Sequence, residues 1–276
     1  MNSGLIATGL VSHVPSLGYK DRIPEYQREL AQGITEMGDK IRDLKPDLLV
    51  LHSAHWICTF DWYVTAHDRH KGVCVADEAP DLIGGIPYDR PGDPEFARAL
   101  SKIANEKGIT LKLNESPNYH LDYASLVPML YLDPEQEIPY ITLPSVLCAR
   151  LDECMRIGQI VAETASRINK RIIYIASCAL SHKLKRGREN WPTEERMKMD
   201  NKIINLFCNG EVSQIEEWLP EYSKKAVAEM EGRPLSGMVG AMKYLSQQHS
   251  RLSGKKYGPY TQSSGTGNAN LLITPA

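Results

Sequence analysis

Residues 4–11, GLIATGLV, form an apolar run that stops at SHVPSLG, where Pro15 and Gly18 break regular structure. The run predicts a short opening strand. Between Pro24 and Leu44 the apolar residues Leu30, Ile34, Met37, Ile41 and Leu44 recur three or four positions apart, the signature of an amphipathic helix. The next segment, KPDLLVLHS (45–53), reads as a buried strand with a Pro-Asp start. This strand–helix–strand order predicts a central sheet with helices packed on it.

Further along, DWYVTAHD (61–68) alternates as a strand. The stretch EAPDLIGGIPYDRPGDP (78–94) is rich in Pro, Gly and Asp and reads as a surface loop, of the kind that covers a site. Residues 93–108 open on an Asp cap and close on Gly, a helix. ITLKLN (109–114) and IPYITLPS (138–145) read as strands, 151–169 as a helix and KRIIYIAS (170–177) as a buried strand. From Pro192 to Gln248 the pattern is mainly helical, with breaks expected near Gly210, Pro220 and Pro234. GTGNANLLITPA (265–276) reads as a turn and a last strand. With no internal repeat, linker or low-complexity stretch, the expected fold is a single α/β domain over residues 1–276, with a largely mixed central sheet flanked by helices.

Composition narrows the function classes. A hydrophobic share of 42% and a charged share of 24% are ordinary for a globular protein of 276 residues, large enough for a substantial core. The net charge of −2 leaves no electrostatic footprint for nucleic acid or an anionic membrane. No apolar stretch is long enough to span a bilayer, and the first residues lack the pattern of a signal peptide, so a cytoplasmic protein is expected. The six cysteines are scattered without a C-x-x-C pair, which argues for packing thiols over a zinc ribbon.

Three of the eight histidines share a position. His13, His55 and His182 each follow a predicted strand, and in α/β sheets ligands bind beyond the carboxyl ends of strands. Two imidazoles and one carboxylate suit a mononuclear non-haem Fe(II) site with open coordination positions. Glu221, Glu229 and Glu231 are the candidate carboxylates, and the pattern does not choose among them. His52 lies three residues before His55. Strand alternation sends it to the opposite face, a packing position. His67, His70 and His249 stand in polar surroundings with no expected role, and SSGTGNAN (263–270) lacks the lysine of a phosphate loop, so it reads as a tight turn packed close to the site.

The segments SHVPSL, HSAHW, LDYASLVPML, ASCALSHKL, LPEY and SSGTGNAN, in that order, resemble the class III extradiol ring-cleavage dioxygenases, the superfamily of the protocatechuate 4,5-dioxygenase catalytic subunit. The resemblance is strongest to the branch with homoprotocatechuate 2,3-dioxygenase, protocatechuate 2,3-dioxygenase and 2-aminophenol 1,6-dioxygenase. It implies His13, His55 and Glu229 as iron ligands, with Glu231 as the fallback, and His182 as the acid/base histidine. Tyr123 stands in LDYAS where much of the superfamily has a second histidine, implying a phenol as hydrogen-bond partner. His120 and Trp56 are expected to line the substrate pocket, with residues 86–88 as a further apolar wall and Arg150 or Lys183 as a cation for a ring carboxylate. The implied activity is Fe(II)-dependent meta cleavage of a catecholic or 2-aminophenolic ring with O2 in aromatic catabolism, by a homo-oligomer or a chain paired with a paralogous subunit. A non-catalytic paralogue and a zinc-dependent member are the alternatives.

Overall fold

The computed structural model describes residues 3–276. Ten strands run in chain order as β1 (Gly4–Val11), β2 (Leu48–Cys58), β3 (Trp62–Thr65), β4 (Arg69–Val73), β5 (Pro87–Pro91), β6 (Leu111–Asn114), β7 (Tyr140–Val146), β8 (Arg171–Ser177), β9 (Leu252–Ser263) and β10 (Thr266–Pro275). The α-helices are α1 (Arg28–Asp43), α2 (Pro94–Glu106), α3 (Tyr123–Leu126), α4 (Met129–Leu132), α5 (Leu151–Arg167), α6 (Glu194–Asn209), α7 (Val212–Ala226) and α8 (Arg233–Ser246). Six strands form the central sheet in the order β7-β2-β8-β1-β10-β9. The first four are mutually parallel, while β10 runs antiparallel to β1 and β9 antiparallel to β10, so the sheet is mixed as expected.

Strands β1, β2 and β8 lie side by side in the middle of the sheet and are apolar on both faces, as strands covered by helices must be. One face packs on α1 through Leu30, Ile34, Met37 and Ile41, the spacing read from the sequence. The other face packs on α5 and α8. These two helices approach unusually closely. A Cβ built on Gly158 would lie 1.8 Å from the Gly237 carbonyl oxygen, and one on Gly240 would lie 1.8 Å from that of Met155. Backbone therefore meets backbone, and only glycine fits.

His52 lies on this helix-facing side. It is fully buried, its Nδ1 is 2.8 Å from the Tyr174 hydroxyl, and its ring meets Trp62 edge-on. The packing role expected of it agrees with this placement. The strand is not regular beyond it, however, since the pairing of β2 with β7 shifts register between His52 and Ile57.

Several local expectations need correction. The loop 78–94 contains β5, which pairs antiparallel with β4; neither strand stands out in the sequence, because β4 holds Arg, His and Lys with a Gly and β5 is bounded by two Pro and carries Asp and Arg. Arg90 on β5 is buried against Asp133 at 3.2 Å and also donates to the Met129 and Asp133 carbonyls, which pairs a charge at a depth where it would otherwise be costly and leaves only its Nε without a partner. His70 is buried, not in polar surroundings, and binds the Tyr140 carbonyl through Nε2 at 2.9 Å. Pro220 does not break α7, because its exposed ring points away from the packed face and the helix continues through the one missing N–H. Pro234 begins a helix, sitting in the first turn where no N–H is needed. Gly210 does end α6, in the left-handed conformation at φ 71°. Strand β9 also escaped the pattern, its Gly-Lys-Lys-Tyr-Gly-Pro centre being poor in β formers. All six cysteines are free, and among the described residues no helix is long and apolar enough to cross a membrane.

The glycine contact generates a stability prediction. Gly240→Ala should lower the thermal unfolding midpoint by several degrees, through an overpacking cost on the order of 1–3 kcal/mol. Gly84→Ala, with nothing within 4 Å of the new methyl, should leave it within a degree. Equal midpoints for the two variants in calorimetry would contradict the close approach of α5 and α8.

Candidate metal centre

The carboxyl ends of β1, β2 and β8 bring the candidate residues together. His13 follows β1 by two residues, His55 lies near the end of β2, and His182 follows β8 by five. Glu229 arrives from the far side, on the short 3-10 turn Glu229–Gly232 between α7 and α8. The four side chains meet at one point. Glu229 Oε1 is 3.5 Å from His13 Nε2, 3.3 Å from His55 Nε2 and 3.1 Å from His182 Nε2. His13, His55 and Glu229 offer ligand atoms that all lie within 4.8 Å of one another.

Backbone pairing delivers Glu229 and His182 together. The His182 N–H donates to the Val227 carbonyl, the Glu229 N–H donates to the Leu180 carbonyl, and Ser181 bridges Ala228. The Ala179 N–H donates to Glu229 Oε2 at 2.5 Å, which fixes the carboxylate plane and leaves Oε1 facing the imidazoles. The turn that carries Glu229 is strained. Val227, Met230 and Glu231 have φ of 56°, 46° and 54°, a left-handed conformation that costs non-glycine residues, a β-branched valine most of all. This geometry also separates the two candidate ligands. Glu229 is 3% exposed, whereas Glu231 points outward at 83% and pairs with Arg233. Glu221 is likewise outside the site, paired with Lys225 on the surface of α7.

Each of the two strand-end histidines has its second nitrogen engaged. The Ser177 hydroxyl donates to the Ala124 carbonyl and stands 3.2 Å from His13 Nδ1, so His13 donates from Nδ1 and turns Nε2 toward Glu229. His55 Nδ1 lies 2.5 Å from the Glu78 carboxylate. The Tyr123 hydroxyl sits 2.7 Å from His55 Nε2. Asp122 positions Tyr123 by capping the helix that begins there, accepting from the Ser125 N–H and hydroxyl. Asp122 also accepts from Ser53, whose hydroxyl oxygen in turn accepts the N–H groups of His55 and Trp56 and bends the strand end that aims His55.

The last hairpin braces the centre from a third side. Ser12, next to His13, donates its N–H to Asn270 and its hydroxyl to Asn268, and Thr266 bridges His182. The GTGNAN stretch is thus packed against the site as expected, with its turn at Ser264–Gly265. Asp200, fully buried, accepts from the Ser181, Tyr222 and Tyr260 hydroxyls and anchors the segment leading to His182.

Electrostatics follow from this crowding. Burial alone would raise the Glu229 pKa, but His182, His13 and His55 overrule it and hold the carboxyl well below its ordinary value. Burial lowers the His13 pKa, with Glu229 opposing only in part. Burial also works against protonating His55, yet the Glu229 and Glu78 carboxylates win and hold its pKa up at about 10. Burial first, then the Glu229 and Glu78 charges, raise the Tyr123 pKa far above that of a free phenol, so it keeps its proton.

Other predicted site residues stand apart from this cluster. His120 is exposed, with its Nδ1 over Gly72. Trp56 is half-buried, packs on Tyr119 at 4.9 Å and lines a surface groove with Phe60 and Tyr63. Tyr88 is buried on β5 and accepts the Leu121 N–H, and Arg150 and Lys183 are exposed, Arg150 pairing with Asp152. Glu78, Ser177 and Asp200 were not anticipated. Glu78 is one of several acids in a loop, and nothing in its neighbours marks it. The only available signal was that the loop reads as a cover.

The chain matches known proteins over nearly its whole length. The family model described as the catalytic LigB subunit of aromatic ring-opening dioxygenase matches residues 7–272. A 3,4-dihydroxyphenylacetate 2,3-dioxygenase of Escherichia coli is 24% identical over 90% of this chain and 97% of that protein. A 2-aminophenol 1,6-dioxygenase beta subunit of a Pseudomonas species is 25% identical over 98% of this chain and 94% of its own. The alpha subunit of the same name, also from Pseudomonas, is 24% identical over 75% of this chain and 78% of that protein. The crystal structure of an uncharacterized Escherichia coli K12 protein superposes with a TM-score of 0.67 over 97% of this chain and 99% of that one, at 15% identity, which shows the shared fold. A match that takes in the ends of all three central strands, the Glu229 turn and the closing hairpin places the chain in the LigB family, the class III extradiol ring-cleavage dioxygenases.

Proposed function

We propose that this enzyme is a ferrous-iron extradiol dioxygenase that opens a catecholic or 2-aminophenolic ring with dioxygen. The observation that carries the reading is the convergence of His13 Nε2, His55 Nε2 and Glu229 Oε1 at one buried point, with His182 and Tyr123 beside them. The donor set fits a metal. Glu229 Oε1 is buried and faces three imidazole nitrogens without a well-formed hydrogen bond to any of them, an orphaned acceptor that a cation would satisfy. Two imidazoles and a carboxylate on one side are the donors of non-haem Fe(II) oxygenases. Zinc accepts the same donors, so the reaction itself must decide between them.

When bound, ferrous iron supplies adjacent open positions for two ring heteroatoms and for dioxygen. The protein's part is to bind, orient and move protons. His13 turns its Nε2 inward because its Nδ1 is held by Ser177, and His55 presents its Nε2 from the end of β2. His182, partly exposed and 3.1 Å from Glu229, takes a proton from a ring hydroxyl and returns one as the ring opens. Tyr123, kept protonated, donates a hydrogen bond to charge developing on a ring oxygen. The names of the relatives, a 3,4-dihydroxyphenyl and a 2-aminophenol enzyme, support a substrate with two adjacent heteroatoms. The alpha and beta subunits among the relatives support a working unit of more than one chain, either copies of this one or a paralogous partner.

The test of the activity is oxygen consumption after anaerobic Fe(II) reconstitution, across protocatechuate, homoprotocatechuate, catechol and 2-aminophenol. One of these should consume oxygen and yield a ring-opened chromophore. Full metal loading without oxygen uptake on any of them would favour the zinc-type or non-catalytic reading.

Metal content checks the ligands. His13→Ala, His55→Ala and Glu229→Gln should each lose stoichiometric iron, while Glu231→Gln keeps it. Iron retained by Glu229→Gln and lost by Glu231→Gln would reverse the assignment.

The proton-transfer role predicts a different profile for His182→Ala. Iron content should stay near wild type while turnover falls by about 100- to 10,000-fold. Steady-state kinetics showing normal turnover would remove His182 from the chemistry.

A further inference from the structure

Glu78 belongs to none of the groups that converge on the centre. It sits half-exposed on the segment between β4 and β5, yet its carboxylate reaches to 2.5 Å from His55 Nδ1. The segment is anchored on both sides of this contact. The Cys74 N–H donates to the Ile86 carbonyl, which closes the base of the loop. The Tyr19 hydroxyl donates to the Gly84 carbonyl at 2.5 Å and lies 3.3 Å from the Gly84 N–H. Ile83 is buried against Gly18, where a Cβ would lie 2.5 Å from the Ile83 Cδ1. The loop therefore spans from the turn that follows His13 to the ring of His55, and Glu78 is held where it points.

We propose that Glu78 is the positioning residue of this centre: it holds the proton on Nδ1 of His55, sets the ring orientation and leaves Nε2 to bind the metal. This rests on the reading of His55 as a ligand. An imidazole can ligate through either nitrogen, and the hydrogen bond at one decides which is offered. An anionic acceptor also makes the opposite nitrogen a stronger donor. The two strand-end histidines differ in this respect. His13 is oriented by Ser177, a neutral hydroxyl on the rigid centre of the sheet. His55 is oriented by a charge carried on a loop, so its competence depends on that loop. An ion pair as exposed as this one contributes little to folding, so its loss reads out at the metal and not in global stability.

The experiment is metal affinity of the full chain, measured on apoprotein with Fe(II) alone under anaerobic competition against a chromogenic chelator. Glu78→Ala should weaken binding by about 10- to 100-fold. Glu78→Gln, which keeps an acceptor but no charge, should fall between it and wild type. Asp81→Ala, a change to another exposed acid of the same loop, should stay within twofold. In the zinc-loaded protein, the hydrogen-bonded Nδ1 proton of His55 should be visible by NMR in wild type and lost to exchange in Glu78→Ala. All variants should share one unfolding midpoint, a condition a merely structural role for Glu78 would break. Glu78→Ala binding within twofold of wild type, while His55→Ala loses the metal, overturns the proposal and leaves the ligand reading standing. Wild-type affinity in His55→Ala overturns both.

Discussion

A carboxylate buried to 3% exposure, with one oxygen aimed at three imidazole nitrogens, is the group around which the centre of this molecule is arranged. An ionised group at that depth costs several kcal/mol unless opposite charge or hydrogen bonds compensate it. Here one oxygen is satisfied by the Ala179 N–H and the other is left to the imidazoles. A proton on His55, whose pKa the Glu229 and Glu78 carboxylates hold up at about 10, compensates the charge in part. A divalent cation would do so more completely, and its uptake would displace any proton from the ligating imidazole nitrogens.

The fold supplies the geometry. Parallel strands end at the same level of the sheet, so residues just beyond β1, β2 and β8 fall close together although they are far apart in sequence. Glu229 cannot come from a parallel strand and is brought in by a kinked turn with three strained residues. That strain is sustained by pairing with residues 180–182 and by the buried Asp200 anchor beneath them. The closing hairpin, through Asn268 and Asn270, holds the turn at Ser12. Strand ends, the kinked turn and the closing hairpin thus hold the candidate ligands to a small range of positions, as a metal centre would require.

What could be read from the chain follows from which signals are local. His13, His55 and His182 were legible because strand ends are marked by apolar runs and because ligands gather beyond them. The α/β architecture and the core face of α1 were legible from periodicity alone. Glu229 was not separable from Glu221 and Glu231 by pattern, since the kink that buries one and exposes the other is built from Val, Met and Glu, residues that carry no turn signal. Glu78 was hidden for a similar reason: its role depends on a loop path set by Tyr19 and Ile83, contacts across long sequence separation. β4, β5 and β9 carry no clear strand signal because Lys and Gly in β4, Asp and Arg between the two Pro of β5, and Gly, Lys and Pro in β9 obscure the alternation, and tertiary pairing overrides that weak propensity.

The position of a bound metal tests this centre most directly. Crystals of the anaerobically Fe(II)-reconstituted protein, measured on both sides of the iron absorption edge, give the position and identity of the ion together. A single strong anomalous peak is expected within bonding distance of His13 Nε2, His55 Nε2 and Glu229 Oε1. A fully reconstituted crystal with no peak there, or with iron held by other residues, would contradict the ligand assignment.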